Sequence, residues 1–334
     1  MISLSKEARV SASYITKKSQ VRATKKKGNA AHDSWIIRGI SFEAKAGEAI
    51  RLIGKNESGR STLVKIIAGL SSPTTGQLVR IGEVVFLSDE NRLNPKLSGR
   101  DNIRLLCLSY GSTPKKAKSL AEDIIAFSGL SSHIDKPVGK YPKGLATKLK
   151  LSIIIHQAAD IFIIDGNLFD TDKSFIKAYS QKITELKAKG KIIFISSSRL
   201  LPIKDPFDKA FWIENGVVKS AGLPQEVVAA YHQDSANYKN LSKQDKLILE
   251  KKQKKEREGF EINSYSEQIS QDLSTSNSLE PDVKQFFELP PSSSNQMPLF
   301  YKLLIVSLIL CFIFIILNYV PTRPITEIIS EFLS

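Results

Sequence analysis

Apolar and polar residues divide most of the chain into short buried strands and amphipathic helices. Nearly uninterrupted apolar runs of strand length occur at residues 49–53, 161–164 and 191–196, and a helical pattern covers residues 102–130. Strands without an alternating polar face are buried on both sides, as in a mainly parallel sheet covered by helices. The pattern therefore predicts an α/β fold.

Shorter strands are predicted beside these runs. Residues 210–213 and 217–220 flank the sequence Glu-Asn-Gly at residues 214–216, which indicates a β-hairpin. Two more strand candidates, residues 77–81 and 83–87, follow a cluster of turn-forming residues. The hairpin adds an antiparallel pair to a fold that is otherwise mainly parallel.

Residues 49–70, AIRLIGKNESGRSTLVKIIAGL, combine an apolar strand, a glycine-containing loop and a helical pattern. The spacing from Gly54 to Ser61 matches the phosphate-binding motif G-x-x-x-x-G-K-[ST], except that Arg60 stands where lysine is expected. In such a loop, backbone N–H groups and the helix N-terminus face the phosphates, and the Ser61 hydroxyl would bind Mg²⁺. Arg60 keeps the charge but has a planar fork instead of a compact ammonium group. A turn without a ligand is the alternative interpretation.

Asp165 directly follows the apolar run at residues 161–164. Ligand sites of parallel sheets lie at the carboxyl ends of the strands, so Gly54 and Asp165 are expected at one shared edge. The alternative role for Asp165 is a helix cap or a turn residue.

Charge and cysteine usage narrow the possible partners and compartments. The 334 residues include 48 Lys and Arg against 34 Asp and Glu, which suits anionic partners such as a nucleotide, a nucleic acid or a membrane face. Cys107 and Cys311 offer neither a disulfide framework nor metal-ligand spacing, which fits a reducing compartment. Residues 1–28 are basic without an apolar core, so no secretory signal is predicted. We interpret them as a solvated loop, with a nucleic-acid patch as the alternative.

The composition changes after Tyr231. Residues 237–258 are charged and helix-prone, and residues 262–298 are rich in Ser, Asn, Gln and Pro, which is typical of a disordered linker. Residues 303–320, LLIVSLILCFIFIILNYV, are apolar on every face and just long enough to span a bilayer. Basic residues precede this segment, so the positive-inside rule leaves the large domain in the cytosol. The predicted divisions are a nucleotide-binding domain (residues 1–234), a charged helix with a disordered linker (235–300), a transmembrane helix (301–321) and a short extracytoplasmic tail (322–334).

Several landmarks occur in a characteristic order. After the phosphate loop come Leu-Ser-Gly-Arg-Asp-Asn, Tyr-Pro-Lys-Gly, the run ending at Asp165, and a strand ending in three serines. Together they resemble the ATP-binding cassette (ABC) transporter ATPases and, more narrowly, the ATP-binding subunits of teichoic-acid and polysaccharide exporters of Gram-positive bacteria. The resemblance covers residues 14–231, and its most similar segments are residues 35–42, 93–103, 141–149 and 222–231.

The resemblance implies a P-loop NTPase domain of the ABC type with a helical subdomain, which binds ATP and Mg²⁺ and pairs head to tail with another cassette. Tyr14 would stack on adenine, Ser61 and Asp165 would hold Mg²⁺, and Asp172 would lie at the dimer seam. The implied nucleotide-binding residues are Tyr14, Gly54, Lys55, Asn56, Glu57, Ser58, Gly59, Arg60, Ser61 and Thr62. The implied signature segment, which meets the nucleotide of the partner cassette, is Tyr141, Pro142, Lys143, Gly144 and Leu145.

Four positions depart from the family pattern. Arg60 replaces the phosphate-loop lysine, Gly166 the catalytic carboxylate and Ser197 the switch histidine. Pro142 replaces the signature serine and also lacks a backbone N–H. No catalytic group is therefore intact. A general base alone contributes about 10²–10⁴-fold to a rate, so we expect impaired hydrolysis, whereas binding depends largely on backbone N–H groups. Whether the chain is itself an active ATPase stays open.

We expect an ATP-binding subunit of an ABC transporter that exports teichoic acid or a related cell-surface polysaccharide, with weak hydrolysis. It would dimerise beneath a multi-span membrane permease, anchored by one span in the cell membrane of a Gram-positive bacterium. The alternative is a membrane-tethered pseudo-ATPase that scaffolds or regulates an exporter alongside a second, active cassette. A nucleic-acid-associated cassette is a third interpretation, but the apolar C-terminal segment opposes it, and no nucleic-acid partner is expected.

Overall fold

The computed structural model describes residues 8–19, 34–142, 144–166, 171–197, 206–275 and 284–287. Its strands are β1 (Arg9–Lys18), β2 (Trp35–Lys45), β3 (Ala49–Ile53), β4 (Thr75–Ile81), β5 (Val84–Ser88), β6 (Ile161–Asp165), β7 (Ile192–Ser196), β8 (Lys209–Glu214) and β9 (Val217–Gly222). Its helices are α1 (Arg60–Ile67), α2 (Gly99–Ser109), α3 (Pro114–Ser128), α4 (Leu145–Ile155), α5 (Lys173–Ala188), α6 (Pro224–Asn240), α7 (Lys243–Glu258), α8 (Ile262–Thr275) and α9 (Lys284–Phe287).

The central sheet has the strand order β5-β6-β7-β3-β8-β9. Neighbouring strands from β5 to β8 are parallel, and β9 pairs antiparallel with β8 in the predicted hairpin. Alternate residues of β6 enter opposite layers: Ile161 and Ile163 pack with α1, whereas Phe162 and Ile164 pack with α4 and α5. Both faces are therefore covered, which is why these strands are apolar throughout and why the α/β prediction is confirmed.

A second, three-stranded antiparallel sheet has the order β2-β1-β4 and packs over the α1 side of the central sheet. It was not predicted. Residues 9–18, interpreted as part of a solvated loop, form β1, and its side chains Val10, Ala12 and Ile15 are buried. The predicted strand at residues 77–81 exists but belongs to this sheet. β1 is buried because it pairs with β2 and β4, which are distant in sequence. The interpretation of residues 9–18 as part of a solvated loop is therefore wrong.

Helices α2, α3 and α4 form a helical subdomain with its own apolar core. Ile103 and Cys107 of α2, Ile124 of α3, and Leu149 and Ile153 of α4 are buried together. The helices predicted over residues 102–130 are confirmed. The thiol of Cys107 is free and buried, and burial raises its pKa.

The helices after α6 correct the predicted linker. Residues 262–275 form α8, whose Tyr265 hydroxyl donates to the Gly39 carbonyl oxygen at 3.1 Å. Phe260, just before α8, packs edge-on against Trp35 with ring centroids 5.4 Å apart. Polar composition concealed the helical spacing of Ile262, Tyr265 and Ile269, so this part of the linker is a helix that docks on β2.

The predicted membrane span at residues 301–321 and the tail at residues 322–334 lie outside the described residues. Among the residues that are described, no helix combines the length and the apolar character needed to cross a membrane.

Candidate nucleotide-binding site

The carboxyl ends of four neighbouring strands meet at one edge of the central sheet. Ser88 of β5 pairs in register with Asp165 of β6, which pairs with Ser196 of β7, and Ser196 pairs with Leu52 of β3. The phosphate loop leaves β3 at Gly54, so the loop and Asp165 share this edge as predicted.

The phosphate loop runs from Gly54 to Gly59, and α1 begins at Arg60. Gly59 has a φ of 101°, and a Cβ at this position would lie 2.8 Å from the Ile36 carbonyl oxygen. Only glycine fits this turn without displacing the backbone of β2. No side chain of the described residues caps the N-terminus of α1, so no capping oxygen accepts a hydrogen bond from its first N–H groups.

The turn between β8 and β9 holds the phosphate loop against β2. The Gly216 N–H donates to the Ser58 carbonyl oxygen at 2.9 Å, and the Arg38 N–H donates to the Gly216 carbonyl oxygen at 2.8 Å. Two backbone hydrogen bonds thus link three segments that are distant in sequence. The loop is positioned by these contacts before any ligand arrives.

Arg60 is the principal buried cation of the site. Its side chain is 8% exposed, and its Nε has no hydrogen-bond partner among the described residues. Burial lowers the pKa of Arg60, while the charge of Asp165 opposes that shift. Ser58 Oγ and Ser196 Oγ are also buried without a partner. Buried polar atoms of this kind normally have partners, so these three atoms fit an anionic, hydrogen-bonding ligand at the loop.

Two of the cavities that open on the loop share Asn56, Arg60 and Ser61. The larger, about 420 Å³, is lined by the loop, Trp35 and Arg257, and is here called the loop cavity. Its lining includes every residue from Lys55 to Thr62, all of which were predicted to bind the nucleotide. The smaller, about 270 Å³, lies at the sheet edge and is here called the edge cavity; its lining includes Ser61, Asp165, Gly166, Ser197, Asp89 and Glu90.

The Lys55 side chain turns toward α6, although Lys55 lines the loop cavity. Its ammonium group lies 3.5 Å from Asp234 Oδ2 and 3.9 Å from the centre of the Tyr238 ring. Glu57 is exposed and has a φ of 61°. Of the charged side chains of the predicted loop, Arg60 is therefore the one placed to face a phosphate.

The edge cavity contains two acidic side chains, Asp89 and Glu90, that are not among the predicted site residues. Gly166 and Ser197 lie at its wall, where neither can act as a base, as expected. Asp89 and Glu90 reach the same cavity from the loop after β5. The signal was available, because β5 ends at the same sheet edge as β6.

Tyr14 does not line either cavity around the phosphate loop. Its backbone N–H donates to Ser41 Oγ at 2.8 Å, and its ring centroid is 5.7 Å from those of both Phe286 and Phe287. Trp35 is the aromatic residue at the loop cavity. The expected stacking of Tyr14 on adenine is corrected accordingly, since the ring packs on α9 instead.

The described residues of the signature segment belong to the helical subdomain and line neither the loop cavity nor the edge cavity. Tyr141 and Pro142 follow the 3₁₀ helix Val138–Lys140, and Gly144 precedes α4, which begins at Leu145. Lys143 lies outside the described residues. Within one chain, this segment and the phosphate loop are therefore not brought together.

Asp172 begins α5 as its N-cap. Its Oδ1 accepts from the Phe175 N–H at 2.9 Å, and its Oδ2 forms an ion pair with the Lys148 ammonium group. The hydrogen bond from Lys148, followed by those from Ser174 and Phe175, holds the pKa of Asp172 well below its usual range. The carboxylate predicted at the dimer seam is thus engaged by its own chain.

Comparison with known proteins assigns the family. The ABC transporter family model matches residues 37–167. A teichoic acids export ATP-binding protein of Lactococcus lactis is 34% identical and aligns with 96% of this chain and 71% of its own length. A protein of the same name from Staphylococcus haemolyticus is also 34% identical, over 74% of this chain and 93% of its own length. The chain belongs to this family of ABC transporter ATP-binding proteins.

Solved structures agree on the fold of the family. An ATP-binding subunit of an ABC transporter, 21% identical, superposes with a TM-score of 0.55 and covers 72% of this chain and 98% of its own. The cassette fold is thereby confirmed. Family members differ in length, and this chain spans only 40% of a Bacillus anthracis relative of the same name.

Proposed function

We propose that the chain is the ATP-binding subunit of an ABC transporter that exports teichoic acid or a related cell-surface polysaccharide. The observation that supports ATP binding is a group of buried polar atoms without a partner among the described residues: Ser58 Oγ and Arg60 Nε at the phosphate loop, and Ser196 Oγ at the adjoining end of β7. An unpartnered buried polar group costs free energy, and a triphosphate supplies the missing hydrogen-bond partners. The exported polymer is inferred from the relatives named above.

Mg²⁺ would be held by the Ser61 hydroxyl and the Asp165 carboxylate, which line the edge cavity. Both are oxygen ligands of the kind that Mg²⁺ prefers together with substrate phosphates. The metal would neutralise charge on the triphosphate, while Arg60 adds a positive charge from the start of α1.

Hydrolysis is expected to be weak. Phosphoryl transfer to water depends on positioning and electrostatic stabilisation, with one residue orienting the attacking water. At the family's carboxylate and switch-histidine positions, Gly166 and Ser197 supply neither a carboxylate nor an imidazole. Binding and release of ATP would therefore be less affected than turnover.

A second cassette would complete the site. The signature residues Tyr141 and Gly144 line neither cavity of their own chain, so a signature segment that reaches the bound nucleotide would come from another copy. A multi-span permease would form the pathway, and the apolar segment at residues 303–320 would anchor the cytoplasmic domain in the cell membrane of a Gram-positive bacterium.

The alternative is a pseudo-ATPase that scaffolds or regulates an exporter. The simultaneous departures at Arg60, Pro142, Gly166 and Ser197 favour it. A complex that contains an intact second cassette would support this alternative, whereas polymer export driven by a strict homodimer would exclude it.

Equilibrium binding of ATP to the purified full chain, with and without Mg²⁺, tests the proposal. We expect binding that Mg²⁺ strengthens, and a Ser61→Ala variant that loses this dependence. Turnover measured on the same preparation separates weak hydrolysis from none. A full chain that is folded but binds no ATP would overturn the proposed function.

A further inference from the structure

The C-terminal end of α7 is fixed against the segments that hold the phosphate loop. Glu256 Oε2 accepts from Asn215 Nδ2 at 2.9 Å, and the Glu256 carbonyl oxygen accepts from Arg38 Nη1 at 3.3 Å. Arg38 and the turn that contains Asn215 also carry the backbone hydrogen bonds that hold the loop at Ser58. The end of α7 is thus positioned relative to the phosphate loop through shared contacts.

One face of α7 borders the loop. Glu250, Gln253 and Arg257, at helical spacing, line a third cavity of about 310 Å³ together with residues 55–58. Arg257 differs from the other two because it also lines the loop cavity of about 420 Å³. Arg257 is therefore the residue of α7 that lines both cavities beside the phosphate loop.

Arg257 lacks the partners that a partly buried cation normally has. Its Nε is buried without a hydrogen-bond partner, and no ion pair of Arg257 is found among the described residues. Another cation, Arg38, interacts electrostatically with Arg257: burial lowers the pKa of Arg38, the charge of Glu256 opposes that shift, and the charge of Arg257 adds to it. An anion in the loop cavity would supply the missing acceptors, and charge-assisted hydrogen bonds from arginine to phosphate are among the stronger ones.

We propose that Arg257 binds the nucleoside triphosphate held by the phosphate loop, as a second cation of the site beside Arg60. This inference rests on the proposed ATP-binding function. Arg257 lies well beyond residues 37–167, the segment matched by the family model, so the cassette motifs do not assign it a role. The α7 helix thereby becomes part of the nucleotide site, and ATP binding would further stabilise its C-terminal end.

The test compares Arg257→Gln with the unmodified full chain in equilibrium binding of ATP. Hydrogen bonds to charged groups contribute about 1.5–3 kcal/mol, so we expect affinity to fall about 10- to 100-fold. Arg257→Lys should recover part of the loss. Lys255→Gln is the matched control, because Lys255 is exposed and lies about 200° around the same helix; its ATP affinity should be unchanged.

Hydrogen exchange gives a second measurement. ATP should slow exchange of the amides at the C-terminal end of α7 in the unmodified chain and in Lys255→Gln, but not in Arg257→Gln. Unchanged or tighter ATP binding by Arg257→Gln would overturn the inference, and tighter binding would mean that α7 obstructs the site. Failure of the unmodified chain to bind ATP would instead overturn the proposed function.

Discussion

The carboxylate of Asp89 lies against Gly166 at the sheet edge. A Cβ on Gly166 would be 3.3 Å from Asp89 Oδ1, and Gly166 has a φ of 155°. In the family pattern a carboxylate side chain occupies the position of Gly166. Here a carboxylate enters the edge cavity from the loop after β5, so carboxylates line this cavity without a side chain at residue 166.

Restoring a glutamate at this position should therefore carry a cost. We expect Gly166→Glu to lower the free energy of unfolding by about 1–3 kcal/mol, because the backbone conformation is unfavourable for a side chain and Asp89 adds like-charge repulsion. Adding Asp89→Asn should recover the electrostatic part of the loss. The measurement is denaturant unfolding of both single variants and the double variant. If the changes in the free energy of unfolding of the two single variants simply add in the double variant, residues 89 and 166 do not repel each other directly.

Substitution of Arg60 should weaken ATP binding with little effect on the stability of the nucleotide-free protein. An Arg60→Met variant keeps much of the side-chain volume but removes a buried cation whose Nε has no partner in the described part of the chain. We expect the free energy of unfolding without nucleotide to change by less than about 1 kcal/mol, because no hydrogen bond of Nε is lost. ATP affinity should fall about 10- to 100-fold. Thermal unfolding without ATP measures the stability, and the additional stabilisation by ATP measures the ATP affinity. A variant that is strongly destabilised without ATP would show that Arg60 has a structural role.

Strands buried on both faces could be predicted from the sequence alone. β3, β6 and β7 are apolar at nearly every position, so their pattern needs no knowledge of their neighbours. β1 could not be found in this way. Its apolar residues are few, its register is irregular between Ser13 and Thr16, and it is buried only because β2 and β4 pair with it.

The candidate site also contains residues that could be predicted from the sequence and residues that could not. The phosphate loop is contiguous, so the spacing from Gly54 to Ser61 located it. Arg257 and Asp89 come from segments that meet the loop only in the folded chain. The end of β5 indicates Asp89, whereas no local spacing marks Arg257. Tyr14 was assigned from a loose N-terminal pattern, and its ring packs on α9 instead.

Docking of α8 should depend on Gly39. A Cβ on Gly39 would overlap the Tyr265 ring, and Gly39 has a φ of 78°. We expect Gly39→Ala to displace α8 and to speed hydrogen exchange over residues 262–275. Gly111→Ala is the matched control, since Gly111 has a φ of 82° but, apart from its two chain neighbours, no described residue has an atom within 4 Å of its Cβ position. Both variants should lose about 1–2 kcal/mol from the backbone conformation. Equal exchange of α8 in both would contradict docking through Tyr265.

The stability of the domain should decrease in mildly acidic solution because of His156. Its Nδ1–H donates to the Ser152 carbonyl oxygen at 2.7 Å, and its ring packs edge-on against Phe127 with centroids 5.0 Å apart. Burial lowers the pKa of His156 below its ordinary value of 6.5, with a further contribution from the charge of Lys182, while the hydrogen bond to Ser152 opposes the shift.

The sign of the effect follows from proton linkage. Below pH 6.5 the unfolded chain binds a proton at His156 that the folded chain resists, so acidification favours unfolding until the pH reaches the lowered pKa of the folded state. His156→Gln should therefore be less stable than the unmodified chain at pH 7.5 but should lose less stability on going to pH 5.5. The measurement is the free energy of opening of α4 by hydrogen exchange at both pH values, corrected for intrinsic exchange rates. If His156→Gln and the unmodified chain lose the same stability between pH 7.5 and pH 5.5, groups other than His156 cause the pH dependence.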